Sequence, residues 1–445
     1  MPVIGLEAEF KVFVDGDEVV PEEYWRTPEA FIERPMLRRT SKSSQLPTGG
    51  AVYFDGGVLE VVTPVIEIAP QCTARVVRSL WEQLGFVREQ LDRWETRNAK
   101  DVRLQAFSCH FNISFELDRG ERNRNRTIQK LALLLTQVLA VPVLVAGLNR
   151  QSTGIGVRPR RDRIEITVDF TPDPGLMAAT TALIVGVVRD VISWDSYLLA
   201  EIDRRGLPVI DGVEPGKHPT RKGWVLRDFH FPRNPFTTDL DAKVFPVRGH
   251  GNASLREIAL RTATSFRDAI RKYADPFSYR LLFSLLSAET RTLLDLPARP
   301  PAYDDVGRAV SWGTVIPELD NYATLTDEPR VAPQRRALDL EEKLAPPWSG
   351  QPLDRRERVT MPARVQRRSN ERRALPPPHP SPRLSRSAYE KVFLKLASGK
   401  RLRVGNELLT PIAVKGWYHS VFRTPAGEER LLSIDQLLEV ADWKS

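Results

Sequence analysis

Four stretches of this chain repeat one two-faced pattern, and that repetition constrains the fold more than any other feature. Residues 3–12 put Ile4, Leu6, Ala8, Phe10 and Val12 on one side of a strand and Gly5, Glu7 and Glu9 on the other. In 58–63, Glu60 is the lone charge of an apolar run. In 105–115, Phe107, Cys109, Phe111, Ile113 and Phe115 alternate with Ser108, His110, Asn112 and Ser114. In 161–170, Ile164, Ile166, Val168 and Phe170 alternate with Arg161, Arg163, Glu165, Thr167 and Asp169. Strands of this kind need a covering layer on one face only, which predicts an antiparallel sheet with helices on its apolar side.

The helices that supply the layer are legible from a 3.6-residue period. In 75–98, Val77, Leu80, Trp81, Leu84, Val87, Leu91 and Trp94 form one apolar stripe. A second helix is expected over 125–140, broken near Pro142, and a third over 175–205. A fourth follows Ser254, where Ser254-Leu255-Arg256-Glu257 has capping-box spacing. Residues 131–148 are uncharged and nearly long enough to span a bilayer, but Thr136, Gln137 and Pro142 interrupt them, so a buried core helix is expected and no membrane contact.

A chain of 445 residues exceeds one ordinary core. The expected fold class is α+β, with a first domain over 1–329, made of a core over 1–205 and a helical and irregular extension over 206–329. The stretch 208–252 reads as a covering loop or as irregular β structure. Ten prolines and paired arginines mark 330–386 as a basic linker. Strand signals return in 387–445: runs at 392–396, 401–404, 412–414 and 417–422, with a helix at 433–440, predict a small β module.

Charge and cysteine usage narrow the function classes. The 65 Lys and Arg against 57 Asp and Glu give a net charge of +8. The linker, counted from Arg330 to Arg386, holds 14 basic and six acidic residues, so it accounts for the whole excess. A nucleic-acid footprint on the folded part is therefore not expected, and the linker is a candidate docking segment for an acidic partner. Two cysteines, Cys72 and Cys109, exclude a disulfide scaffold and a multi-cysteine zinc site. With no secretory leader in Met1-Pro2-Val3-Ile4-Gly5, a cytoplasmic location is expected.

If the four strands share a sheet, Glu7, Glu9, Glu60, His110 and Glu165 converge on its open face. Carboxylates at alternate positions of one strand sit about 7 Å apart and repel. Hard oxygen donors with one imidazole suit Mg²⁺ or Mn²⁺, the ions that bridge carboxylates to nucleotide phosphates, and Arg161 and Arg163 offer planar donors to phosphate. Covers over such a site are expected in 147–160, around Gly154-Ile155-Gly156, and in 208–252, where Lys217, His218, Arg221 and Lys222 cluster.

Gly5-Leu6-Glu7-Ala8-Glu9-Phe10, Asp55-Gly56-Gly57-Val58-Leu59-Glu60, His110-Phe111-Asn112-Ile113-Ser114 and Arg163-Ile164-Glu165-Ile166-Thr167, in that order and separation, resemble the amidoligases. These form the carboxylate-amine ligase branch of the glutamine synthetase and glutamate-cysteine ligase superfamily. The resemblance spans 1–205. It implies a curved antiparallel sheet whose concave face binds ATP with divalent ions, and a reaction joining a carboxylate, activated as an acyl phosphate, to an amine. It implies acidic metal ligands at Glu7, Glu9 and Glu60. It places His110 on metal or phosphate, Asn112, Arg161 and Arg163 beside the nucleotide, and Glu165 at the metal next to the γ-phosphate, with Glu7, Arg163 and Glu165 as the catalytic set. The family often has arginine two residues after that last glutamate; here Thr167 stands there and Arg163 two residues before. The substrates it implies are a carboxylate and an amine, either of which can be carried by a peptide or protein. A phosphotransferase using the same site, and an inactive binding protein of this fold, remain alternatives.

Overall fold

The structure, a computed structural model, describes residues 2–39, 43–116, 124–218, 222–308, 387–416, 419–439 and 443–444. The linker expected at 330–386 lies outside them.

The chain opens with β1 (Val3–Val14), which hydrogen-bonds on one edge to β2 (Asp17–Val19) near its end. A short helix α1 (Pro21–Tyr24) leads to β3 (Leu37–Arg39), β4 (Ser44–Gln45), β5 (Ala51–Asp55), β6 (Val58–Val62) and β7 (Ile66–Glu67). After α2 (Cys72–Asn98) comes the long β8 (Val102–Ser114), then α3 (Ile128–Gly147), β9 (Ile155–Pro159), β10 (Arg163–Asp169) and α4 (Pro174–Ile192). The pairings order the main sheet as β3, β4, β5, β6, β1, β8, β10, β9, all antiparallel. Helices α2, α3 and α4 cover one face, where Leu6, Ala8, Phe10, Cys109, Phe111, Ile113, Ile164 and Ile166 are all fully buried. The expected α+β layering and the four two-faced strands are thus both present.

Three elements differ from the sequence expectation, each for a local reason. Pro142 does not break α3, which continues to Gly147. Its missing N–H forfeits one bond, while nearly every side chain from Leu131 to Gly147 is buried and holds the helix from all sides. The helix expected over 175–205 is two: α4 starts on Asp173, whose side chain accepts from the Leu176 N–H at 2.9 Å, and stops at Ile192. There the Tyr197 hydroxyl caps the Ile192 carbonyl at 2.7 Å and the chain turns before α5 (Ala200–Arg204). Phe107, expected on the packed face, is 48% exposed. The register passes from Glu9 opposite Ser108 to Phe10 opposite Ala106, so Phe107 is the extra residue of a β-bulge and turns outward.

The stretch 208–252 resolves as irregular β structure. It contributes β11 (Gly216–Lys217) and β12 (Trp224–Leu226), which extend the sheet beyond β9, and a separate hairpin of β13 (Phe245–Val247) and β14 (His250–Ala253). Then α6 (Leu255–Ser265) starts with the capping box foreseen at Ser254 and Glu257, followed by α7 (Arg267–Tyr273) and α8 (Pro276–Leu286). Buried Asp275 ties α8 to α2, accepting from Thr73 Oγ1 at 2.7 Å and from the Ala74 N–H at 3.1 Å.

In the last part, 392–396 is helical rather than extended. It lies in α9 (Ala388–Ala397), which Ser387 and Glu390 cap reciprocally and whose buried Tyr389, Val392, Phe393 and Leu396 share one face. The strands β15 (Arg401–Val404), β16 (Glu407–Lys415), β17 (His419–Arg423), β18 (Glu429–Ser433) and β19 (Trp443–Lys444), with α10 (Ile434–Glu439), complete the module. It does not stand apart. Strand β16 pairs in parallel with β3, so the module's sheet continues the main sheet edge to edge.

Among the described residues two helices, α3 and α4, are long and apolar enough to cross a membrane; 83% and 89% of their apolar windows are buried inside the protein. This is the environment expected for 131–148.

Candidate functional site

Cross-strand pairing assembles the site row by row on the face opposite the helices. Glu60 of β6 stands opposite Glu9 of β1, and Glu9 opposite Ser108 of β8, which stands opposite Asp169 of β10. In the next row Glu7 stands opposite His110, and His110 opposite Thr167. In the third, Asn112 stands opposite Glu165, and Glu165 opposite Arg158 of β9. Residues two apart share a face, so three rows across five strands concentrate the polar groups that the sequence alternation only suggested.

His110 is the hub. Its Nδ1 lies 3.2 Å from Glu7 Oε2 and 4.0 Å from Glu165 Oε1, and its Nε2 lies 3.4 Å from Glu9 Oε1. One ligand atom each from Glu7, His110 and Glu165 fall within 4.8 Å of one another. The longest ligand-to-ligand span around Mg²⁺ at 2.0–2.1 Å is about 4.2 Å, so a small inward movement lets the three close on one ion. The donor set therefore fits a hard divalent cation. Glu60 and Glu9, paired across two strands, form a second acidic position beside it.

Electrostatics agree with this division. Burial works against the charge on Glu7, but the hydrogen bond and charge of His110, helped by Arg163 and Asn112, hold its carboxyl below the usual range. Burial likewise opposes protonation of His110, yet Glu7, Glu9 and Glu165 lift it above its ordinary value. Glu60 is pushed up to about 8, first by burial and then by repulsion from Glu9 and Glu7, against a hydrogen bond from Tyr53. A cation beside it would reverse that shift.

Glu60 titrates at about 8 folded against about 4.5 unfolded, so unfolding releases its proton across that window. Its contribution is fully present below pH 4.5 and is lost as pH rises to 8, amounting to on the order of 5 kcal/mol. Denaturant titrations without metal from pH 5 to 8 should show this decline, Glu60→Gln should flatten it, and Mg²⁺ should stabilise the protein more at pH 8 than at pH 6. A Glu60→Gln variant with the parent's pH slope would contradict the assignment.

The arginines fall differently from expectation. Arg161 is exposed at the tip of the β9–β10 hairpin, where the Arg160 N–H bonds the Arg163 carbonyl at 2.9 Å. Arg158 and Arg160, which lie within the expected cover at 147–160, are the guanidiniums on Glu165: Arg158 pairs with Oε1, and Arg160 Nε with Oε2 at 2.7 Å. Arg163 Nε donates to Asn112 Oδ1 at 2.9 Å. The signal that would have found Arg158 and Arg160 is their two-residue spacing ahead of a two-residue turn, which folds them back over Glu165.

Beside the cluster opens a cavity of about 510 Å³. Glu9, Ser108 and His110 form its inner wall, and Phe107, Gly154, Asp169, Arg227, Arg299 and Tyr303 lie among its other lining residues. The strand that closes it, β12, can approach because residue 154 is glycine: a Cβ there would lie 1.9 Å from the Leu226 carbonyl oxygen, and its φ is +123°. Asp169 is raised to about 6 by burial, opposed by Ser152, Arg299 and Asn149, so it remains ionised at neutral pH.

No protein-family model matches the chain, and no curated protein matches it. Among solved structures, it is similar to one described as the crystal structure of the complex between prokaryotic ubiquitin-like protein Pup and its ligase PafA. The likeness has 13% identity and a TM-score of 0.47, and covers 98% of this chain and 92% of that chain.

Proposed function

We propose that this protein is an ATP-dependent carboxylate-amine ligase acting in the cytoplasm. The observation that supports the reading is the meeting of Glu7, His110 and Glu165 within 4.8 Å on the open face of the sheet, beside the Glu9–Glu60 pair. The four motifs that carry these residues are those of the amidoligase resemblance.

Bound Mg²⁺ or Mn²⁺ would be held by Glu7, His110 and Glu165, with Glu9 and Glu60 beside them, and would neutralise charge on the transferring phosphoryl group. The chain's own groups do the rest. Arg158, Arg160 and Arg163 surround Glu165 and Asn112 and supply planar donors for phosphate oxygens. Arg161, at the hairpin tip, reaches a nucleotide only where it extends past this cluster. In the reaction, a substrate carboxylate oxygen takes the γ-phosphoryl group and ADP leaves. The amine nitrogen then attacks the acyl carbon, the bond from that carbon to the phosphate oxygen breaks, and inorganic phosphate departs with one net proton. The cavity beside Glu9, walled by β8, β10 and β12, shields the acyl phosphate from water.

One observation favours a second reading. With two guanidiniums on it, Glu165 is already neutralised, as in a binding protein that retains the fold without turnover. Two measurements separate ligase, phosphotransferase and binding protein: nucleotide calorimetry with and without Mg²⁺, and incubation with ATP and Mg²⁺ against mixed carboxylates and amines, read by mass spectrometry. A ligase yields a product whose mass is the sum of acid and amine less one water, together with ADP. A phosphorylated acceptor with no amide would make it a phosphotransferase, and no Mg²⁺-dependent nucleotide binding would leave the binding protein.

A further inference from the structure

Outside the linker the charges of this chain sum to zero, because the linker alone accounts for the excess of +8. They are not spread evenly. Helices α6, α7 and α8 pack on α3 and α4, members of the layer that covers the apolar face of the sheet, whereas the candidate site occupies the opposite face. Residues 267–286, which hold α7 and α8, carry Arg267, Arg271, Lys272 and Arg280 against Asp268 and Asp275. Asp275 is fully buried and accepts from Thr73, Ala74 and Ser278, so Asp268 is the one carboxylate these helices leave at the surface.

Helix periodicity turns the four cations outward. In α7 the buried position is Ile270, and Arg267, Arg271 and Lys272 are exposed. In α8 Tyr279, Arg280 and Phe283 are half-buried, and the two rings stand 4.8 Å apart. The Arg267 guanidinium lies 5.3 Å from the Phe283 ring centre and so joins the outward faces of the two helices into one. Arg93, Arg97, Arg248 and Arg430 are also exposed, yet each pairs with a carboxylate. Among the described residues none of the four cations on α7 and α8 has a carboxylate within 4.0 Å.

The apolar groups on this face narrow the partner. Among the described residues of α6, α7 and α8 no large apolar side chain is exposed, so the face lacks the anchors that insert into a membrane or carry a protein interface. What it presents is unpaired charge, mostly guanidinium, with rings set between. Planar cations match phosphate oxygens and stack on planar groups, and aromatic rings stack on bases.

We propose that the outward face of α7 and α8 binds single-stranded nucleic acid, with Arg267, Arg271, Lys272 and Arg280 on its phosphates and bases against Tyr279, Phe283 and the guanidinium of Arg267. The inference stands apart from the ligase reading, since no residue of that site belongs to this face.

The test is fluorescence anisotropy of the full chain with a labelled, mixed-sequence oligonucleotide of about 16 nucleotides, as DNA and as RNA, from about 50 to 200 mM salt. At least one of the two should bind, and the tighter identifies the sugar that is recognised. Combining Arg267→Gln, Arg271→Gln and Lys272→Gln should weaken binding at least about tenfold. At roughly 0.7 per phosphate contact, it should also flatten the slope of log affinity against log salt by about 2. All three side chains are exposed, so this variant should melt within a few degrees of the parent. Phe283→Leu keeps apolar bulk and removes the ring, and should weaken binding about fivefold or more. Binding of neither strand overturns the proposal, as does parent-like binding by Phe283→Leu or by the triple variant; the latter would put the strand on the basic linker. Equal binding of the matching duplex, of polyglutamate or of phosphatidylserine vesicles also overturns it, because the face would then read charge alone.

Discussion

Glu7→Gln is expected to lower ATP-dependent amide formation by about 10³-fold or more while moving the melting temperature by only a few degrees. A carboxylate ligand to a divalent ion supplies several kcal/mol of transition-state stabilisation, and each 1.36 kcal/mol is tenfold in rate. Glutamine keeps the shape and the acceptor that faces His110 Nδ1 at 3.2 Å, so little packing is lost. Glu165→Gln is a poorer probe, although the sequence alone makes it the natural choice. Glu165 is fully buried, and replacing it leaves Arg158, itself 4% exposed, without its counter-charge, a loss of about 3 to 5 kcal/mol. That variant should lose activity and stability together. The measurement is ADP release with differential scanning calorimetry on both variants. Glu7→Gln turning over within tenfold of the parent would remove Glu7 from the chemistry.

That contrast shows where the sequence stops being legible. Alternation is local, so Glu7, Glu9, Glu60, His110 and Glu165 are placed on one face from sequence alone, and strand pairing then brings them together. The bulge at Phe107 escapes the same logic because its parity matches a continuing strand; only the partner strand shows that Phe10 pairs with Ala106. Arg161 and Arg163 share a face with Glu165 by parity, but the tight hairpin puts Arg161 at its tip and turns Arg158 and Arg160 back onto Glu165. Parity within a strand is written in the sequence, whereas register between strands is set by the turn. The cavity was least accessible of all. Asp169, Arg227 and Arg299 come from segments far apart in the chain, and no local pattern announces their meeting.

Ending the chain at residue 386 is expected to give protein that aggregates or melts at least 10 °C below the full chain. From sequence, a basic linker followed by renewed strand signals predicts a separable module whose removal spares the first domain. The structure instead shares a core between the two. Val3 of β1 and Val65 are buried against Tyr389, Val392, Leu402 and Phe422. Buried Glu67 accepts the Tyr389 N–H on Oε1 at 2.9 Å, and Arg75 Nε lies 4.0 Å from Glu390 Oε2 with both side chains 5% exposed. Truncation would expose two valines worth about 1.5 to 3 kcal/mol each and unpair the β3 edge. It would also strip partners from a buried acid and a buried arginine, at about 1 to 3 kcal/mol or more apiece. Together these approach the roughly 5 to 15 kcal/mol that keeps a domain folded. Val65→Asp in the full chain separates lost contact from lost mass, since it charges the same interface with every residue present and should destabilise comparably. A monodisperse truncated protein with the parent's melting temperature would show the shared core to be dispensable. If instead both proteins fail, residues 387–445 are part of the scaffold that carries the candidate site rather than a separable arm, because β1, whose Glu7 and Glu9 face the site, has its first residue in the module's core.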